Sequence, residues 1–155
     1  MELQAIIEKG KDGLYAVRSE AMIGNSYLGG FGESVEEAKE DFLESILEAI
    51  EESIAAGVHA PEMSEIKVRY KYDIPSFFNY FDFINVSRFA AMAGINESKM
   101  RQYKTGLAYP GEKTTKKIFS VIQKIGSDIS NASLWVLQWR FNFISATWSP
   151  LDEIG

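Results

Sequence analysis

The longest periodic pattern in the chain runs from Ser34 to Gly57 and predicts one amphipathic helix. Ser34 is a favourable N-cap, and Glu37 three residues later forms a capping box with it. Gly57 ends the helix, and Pro61 follows in the loop. Apolar residues recur at spacings of three and four and form one stripe: Val35, Ala38, Phe42, Leu43, Ile46, Leu47, Ala49, Ile50 and Ile54. A helix with such a stripe needs a sheet or a second helix to cover it.

Strand-like segments stand on both sides of this helix. Residues 3–9 and 14–19 are rich in strand-forming residues, and the glycine-flanked segment 10–13 between them predicts a hairpin. Residues 26–31 give a weaker third strand because two of them are glycines. Residues 66–72, IKVRYKY, alternate strictly and predict a fourth strand. The first part of the chain is therefore expected to be a β-β-β-α-β unit, a small sheet with one helix on one face.

The periodicity changes after residue 73. Pro75 breaks the strand pattern and can begin a helix. The residues that follow predict an aromatic-rich first helix, a second over 86–93, a third capped by Asn96 and a fourth over 112–125. The fold class is thus predicted as α+β, with a small N-terminal β-β-β-α-β domain over 1–73 and an all-α helix-turn-helix domain over 74–134. The aromatic-rich tail over 135–155 fits an added strand, a dimer contact or a departure at the end of the reading frame.

The segment from Ser87 to Gly106, SRFAAMAGINESKMRQYKTG, has the spacing of a helix-turn-helix. Ala90 or Ala91 supplies a small residue where the second helix crosses the first, and Gly94 supplies a residue free to take positive φ in the turn. Ile95 is expected to plug the small core, and Asn96 to cap the second helix. Met100 and Tyr103, three residues apart, are then the inner face of that helix.

The residues between those inner positions are expected to face DNA. Gln102 can pair with adenine, and Arg101 with guanine or a phosphate. Positions near the start of a recognition helix commonly meet base edges and phosphates. The predicted DNA-binding residues are Ser87, Arg88, Glu97, Ser98, Lys99, Arg101, Gln102 and Lys116. Lys104, Lys113 and Lys117 could add phosphate contacts.

Charge is distributed unevenly along the chain. The net charge is −6, but residues 1–73 carry 7 Lys/Arg against 16 Asp/Glu, a net −9. Residues 74–131 carry 8 Lys/Arg against 4 Asp/Glu, a net +4. A basic second part suits nucleic acid, and an acidic first part suits a different partner. The reversal therefore predicts two modules with two partners.

Several function classes are disfavoured by what the sequence lacks. It has no cysteine and one histidine, His59, in a segment that reads as a loop, so a zinc site or a Ser/His/Asp triad is not expected. A magnesium nuclease needs carboxylates converging at strand ends, whereas the acids here cluster along one helix. We therefore expect no enzyme, no cofactor and no metal. The chain lacks an apolar run of about 18 residues and a signal-peptide pattern, so a cytoplasmic protein without membrane contact is expected.

Two resemblances sharpen these expectations. The segment with Ala90, Gly94-Ile95, Asn96, Met100, Tyr103 and Gly106 resembles the DNA-binding domain of Xre-type regulators, although Lys104 stands where many relatives carry glutamate. Residues 1–134 resemble a HicB-type antitoxin, through GLYAVRSE, GGFGESVEEAKEDFLESILEAIEE and IKVRYKY. One departure is MIGNSYLGGFG, which replaces the proline-aspartate and glycine-cysteine motif of many members.

The HicB resemblance implies a fold and two partners. The fold would be a partial ribonuclease-H-like sheet without the acidic catalytic set. The partners would be a HicA-like RNA-cleaving toxin, held by the N-terminal domain, and operator DNA, held by the C-terminal domain. The leading hypothesis is thus a type II antitoxin that also represses its own operon.

The main alternative is a stand-alone transcription regulator whose N-terminal domain serves dimerisation or senses a ligand. A homodimer or higher oligomer is expected in either case, because one helix-turn-helix reads only a few base pairs.

Overall fold

The computed structural model describes residues 1–135, so the predicted tail lies outside the described residues except for Trp135. The predicted α+β class is confirmed, with four strands and five helices in this part of the chain. The elements are β1 (Glu2–Lys9), β2 (Tyr15–Ile23), β3 (Ser26–Gly32), α1 (Val35–Ala55), β4 (Lys67–Tyr72), α2 (Ile74–Tyr80), α3 (Val86–Ala93), α4 (Glu97–Thr105) and α5 (Glu112–Ser130). A single 3-10 turn, Met63–Glu65, precedes β4.

Residues Met1–Val121 form one compact unit, and a second begins at Ile122 within α5. The division near residue 73 and the likeness to a ribonuclease-H-like sheet stay predictions. Within residues 1–135, no helix is both long and apolar enough to cross a membrane.

The four strands form one mixed sheet in the order β3-β2-β1-β4. β1 pairs antiparallel with β2, β2 antiparallel with β3, and β1 parallel with β4. The predicted hairpin between β1 and β2 is present: Gly10 N donates to Leu14 O at 2.7 Å, and Gly13 takes a φ of 88°. One face of the sheet packs against α1 and forms the core. The buried residues there are Leu3, Ala5, Ile7, Tyr15, Val17, Ile23, Leu28, Val35, Ala38, Phe42, Ile46 and Ala49.

The glycines of β3 lie where α1 approaches the sheet most closely. A Cβ on Gly30 would lie 2.5 Å from the carbonyl oxygen of Ala38 and would overlap the backbone nitrogen of Phe42. A Cβ on Gly32 would lie 2.6 Å from the backbone nitrogen of Ala38. Gly30, one of the two glycines that weakened the strand prediction, is therefore also a residue that allows the helix and strand backbones to touch.

The exposed side of α1 carries two residues that the sequence predicted to be buried. Leu47 is 45% exposed and Ile54 is 65% exposed. The predicted apolar stripe was therefore wider than the face of α1 that the sheet buries. The buried row continues instead through Ser53, whose Oγ donates to the carbonyl of Ala49 at 2.8 Å. A buried serine is tolerated because that bond satisfies its hydroxyl.

Two further details of the early elements differ from expectation. In the capping motif of α1, Ser34 Oγ accepts from Glu37 N at 3.1 Å, but the Glu37 carboxylate accepts from Glu33 N rather than from Ser34 N. β2 extends to Ile23, beyond the predicted end at residue 19, and its register against β3 shifts between Arg18 and Met22. Such a shift disrupts the alternation from which a strand is read.

Helix α2 is fastened both to the sheet and to α3. Asp73 caps it, accepting from Ser76 N at 2.8 Å with one carboxylate oxygen and from Lys9 N at 2.9 Å with the other. Asn79 Oδ1 accepts from Val35 N at 2.9 Å. On the other side, the ring of Phe78 meets that of Phe89 edge-on at 5.1 Å between centroids. α2 therefore fixes the start of the helical part against β1 and α1.

A lysine surrounded by tyrosines reinforces this junction. Lys39 Nζ lies 3.6 Å from the ring centroid of Tyr80 and 4.1 Å from that of Tyr70, and it donates to the hydroxyl of Tyr72 at 2.8 Å. Burial lowers the pKa of Lys39 and raises the pKa of Tyr72 and Tyr70, with the neighbouring Tyr80 adding to both tyrosine shifts. The cluster joins α1, β4 and α2 through cation–π contacts.

Candidate nucleic-acid interface

Helices α3 and α4 are joined by a tight turn over residues 94–96. Gly94 ends α3 with a φ of 64°, a conformation that glycine adopts without strain. Ile95 N donates back to Ala90 O at 2.9 Å. Asn96 then caps α4, since its Oδ1 accepts from Lys99 N at 3.2 Å. The turn has the residues and caps that the sequence predicted.

The inner face of α4 is buried as its spacing predicted. Met100 is fully buried and Tyr103 is 7% exposed. On α3, Phe89 and Ala90 are each 1% exposed whereas Ala91 is exposed, so of the two small residues predicted for the helix crossing Ala90 is the one in the core. Ile95 is partly exposed and closes this core incompletely. Met100 and Tyr103 therefore fix which side of α4 faces solvent.

The outer face of α4 carries the predicted base-reading residues. Ser98, Lys99, Arg101 and Gln102 are all exposed. Lys99 Nζ lies 3.4 Å from Gln102 Oε1 and 5.7 Å from the ring centroid of Tyr103. Gly106 ends the helix with a φ of 82°. Ser98, Lys99, Arg101 and Gln102 thus form a short polar surface containing two cations and one amide.

Three of the predicted residues form a hydrogen-bonded network. Ser87 Oγ donates to Glu97 Oε1 at 2.6 Å. The guanidinium of Arg101 donates to the same oxygen at 2.8 Å and to Ser87 Oγ at 3.1 Å. Hydrogen bonds from Ser87 and then from Arg101 lower the pKa of Glu97. The network ties α3 to α4 and neutralises part of the Arg101 charge.

The remaining predicted residues lie outside this network. Arg88 is exposed on α3. Lys116 lies on α5, where its Nζ is 2.9 Å from a carboxylate oxygen of Glu112, and both side chains are more than three-quarters exposed. An exposed pair of this kind contributes little stability, so Lys116 can exchange its partner for a phosphate. Lys104, Lys113 and Lys117 are also exposed.

A second charged surface lies on α1. We call it the acidic row: Glu36, Glu40, Glu44, Glu48 and Glu51, all exposed. Within residues 1–135, none of the five is in a salt bridge, although like charges four residues apart disfavour a helix. Leu47 and Ile54, both exposed, lie on the same helix. The surface combines unpaired carboxylates with apolar side chains.

Neither a metal-binding group within residues 1–135 nor a similar known protein points to a function, so the proposed function rests on these two surfaces. Among the residues that the structure describes, no group of three or more His, Asp or Glu side chains is arranged to hold a metal ion. Comparisons of the chain with protein-family models, curated proteins and solved structures found no match.

Proposed function

We propose that this protein is the antitoxin of a type II toxin–antitoxin system, of the kind the HicB resemblance implies. It would repress its own operon by binding operator DNA and would neutralise a basic, RNA-cleaving toxin by protein–protein contact. The observation that best supports the proposal is the outer face of α4, where Ser98, Lys99, Arg101 and Gln102 are exposed opposite the buried Met100 and Tyr103.

For DNA binding, α3 and α4 act as a helix-turn-helix with α4 as the recognition helix. An exposed amide and an exposed guanidinium are the groups that read adenine and guanine in the major groove. The +4 net charge of residues 74–131 favours a polyanion. Two copies bound to half-sites about one helical turn apart would give enough contacts for a specific operator.

The Ser87–Glu97–Arg101 network predicts that a carboxylate restrains DNA binding. Glu97→Gln removes one negative charge from the interface and loosens the hold on Arg101. We expect binding to operator and to scrambled DNA to tighten alike, and the slope of log K against log salt to steepen by about 0.9, the effect of one added phosphate contact. Fluorescence anisotropy over a salt series measures both quantities.

Asp128→Asn is the matched control, since it frees Lys124, which is not among the predicted DNA contacts, from an equivalent exposed i,i+4 pair outside α4 and should leave the slope unchanged. An unchanged slope for Glu97→Gln would show that Arg101 does not reach a phosphate.

For toxin binding, the acidic row is the surface that fits best. The −9 net charge of residues 1–73 would steer a basic RNA-binding protein toward it, since opposite potentials accelerate association. Leu47 and Ile54 would supply apolar contact beside the carboxylates. Both kinds of contact lie on one rigid helix.

Co-expression with the product of the adjacent gene, followed by size-exclusion chromatography, tests the whole proposal. We expect a stable complex and protection of RNA from cleavage.

Glu44→Lys/Glu48→Lys should weaken the complex at least about tenfold, roughly 1.4 kcal/mol. Glu20→Lys/Glu33→Lys changes the net charge equally at exposed positions off α1 and should have little effect. Operator binding without any toxin complex would instead favour the stand-alone regulator.

A further inference from the structure

The two edges of the sheet differ in whether their outward backbone groups have hydrogen-bond partners. At the β3 edge, side chains of α1 satisfy the outward N–H groups: Gly29 N donates to Ser45 Oγ at 3.3 Å and Phe31 N to Asp41 Oδ2 at 2.7 Å. β4 is the other edge strand and pairs with β1 alone. The β3 edge is therefore closed to a further strand.

The outward backbone groups of β4 can be identified from its pairing. Lys67 N donates to Met1 O at 2.8 Å, and Asp73 N donates to Ile7 O at 3.0 Å. Backbone groups alternate sides along a strand, so those of Val68 and Tyr70 point away from β1. Within residues 1–135, these N–H and C=O groups have no hydrogen-bond partner in the structure. Such a row is a template for another strand.

The side chains of β4 specify what kind of strand would fit. Lys67, Arg69 and Lys71 are exposed, whereas Val68 and Tyr70 are half-buried beside the core. Arg69 is paired with Glu2 at 2.8 Å. Lys67 and Lys71 have no acidic partner among the described residues.

We propose that the β4 edge binds an extended segment of a partner protein as a fifth strand of the sheet, antiparallel to β4. The segment carries carboxylates four residues apart, facing Lys67 and Lys71, and apolar side chains between them that cover Val68 and Tyr70. A second copy of β4 does not fit, because antiparallel pairing would place its lysines opposite Lys67 and Lys71, and like charges in that position repel. The inference is independent of the proposed antitoxin function.

A synthetic peptide tests the recognition directly. The probe is fluorescein-labelled Gly-Gly-Glu-Val-Thr-Val-Glu-Gly-Gly, measured by anisotropy against the full chain. We expect saturable binding, at least about tenfold weaker when both glutamates of the peptide are replaced by lysine. Methylating the backbone nitrogens of the two valines should abolish binding, because those N–H groups would face β4.

Variants of the protein provide the reciprocal test. Lys67→Glu/Lys71→Glu should reverse the preference, so that the lysine peptide binds better than the glutamate peptide. Lys11→Glu/Lys113→Glu makes the same charge change at exposed positions off the sheet and should leave the preference intact. Equal binding of the N-methylated peptide, an unreversed preference, or no binding at about 1 mM peptide would each overturn the proposal.

Discussion

Gly30→Ala is expected to destabilise the fold by about 3 kcal/mol. The added methyl group would meet the backbone of α1 at Ala38 and Phe42, and a backbone cannot move aside as a flexible side chain can. Either α1 shifts away from β3 or the strand distorts, and both disrupt packing around Phe42, which is fully buried. Urea unfolding of the full-length chain, followed by circular dichroism, measures the loss.

Gly29→Ala is the matched control one residue away. Its Cβ would lie 3.5 Å from the carbonyl oxygen of Val17, an ordinary contact distance. Its φ is not in the left-handed region, so alanine is not strained there. We expect a change within about 0.5 kcal/mol. Equal stabilities of the two variants would show that α1 does not pack on Gly30 in solution.

Under the proposed antitoxin function, this contact would also position the acidic row, which lies on α1. A shift of α1 away from β3 would move those carboxylates and would release Asp41 and Ser45 from the β3 edge. Gly30→Ala should therefore weaken a toxin complex without any change to the charged residues themselves. The position of the helix, as well as its charge, determines the surface that it presents.

Most elements could be predicted because their signals are local. The strict alternation of residues 66–72 predicted β4, and the capping residues Ser34, Asn96 and Gly106 marked where helices begin and end. The exposure of Leu47 and Ile54 could not be predicted in this way, since a helical stripe shows what can be buried but not how wide the covering sheet is. The role of the β3 glycines was hidden for the same reason, because it depends on a helix that follows them in sequence.

In the candidate interface, too, features within one helix were predictable and contacts between elements were not. Met100 and Tyr103 were predicted from spacing within one helix, and both are buried. Glu97 and Arg101 were both predicted to face DNA and were not predicted to pair, and the bond from Ser87 depends on how α3 crosses α4. Lys39 gave no signal at all, because its tyrosines come from two later elements.

In the proposed DNA complex, the Ser87–Glu97–Arg101 network would determine which residues of α4 are available to contact bases. Arg101 already has two partners, whereas the amide nitrogen of Gln102 donates to none of the described residues. An exposed amide near the middle of α4 can make a bidentate pair with adenine without first breaking a salt bridge. Gln102 is therefore the strongest candidate for base recognition on this helix.

Gln102→Ala is accordingly expected to weaken operator binding by about 1–3 kcal/mol and to relax the sequence preference at one position. Lys116→Ala should weaken operator and scrambled DNA alike and should flatten the salt dependence by about 0.9 in log–log slope, as expected for a phosphate contact. Both side chains are exposed, so neither change should alter the unfolding midpoint. Binding curves on both DNAs over a salt series separate the two effects. If Gln102→Ala keeps the full preference for operator while its fold is intact, α4 does not present this face to the major groove.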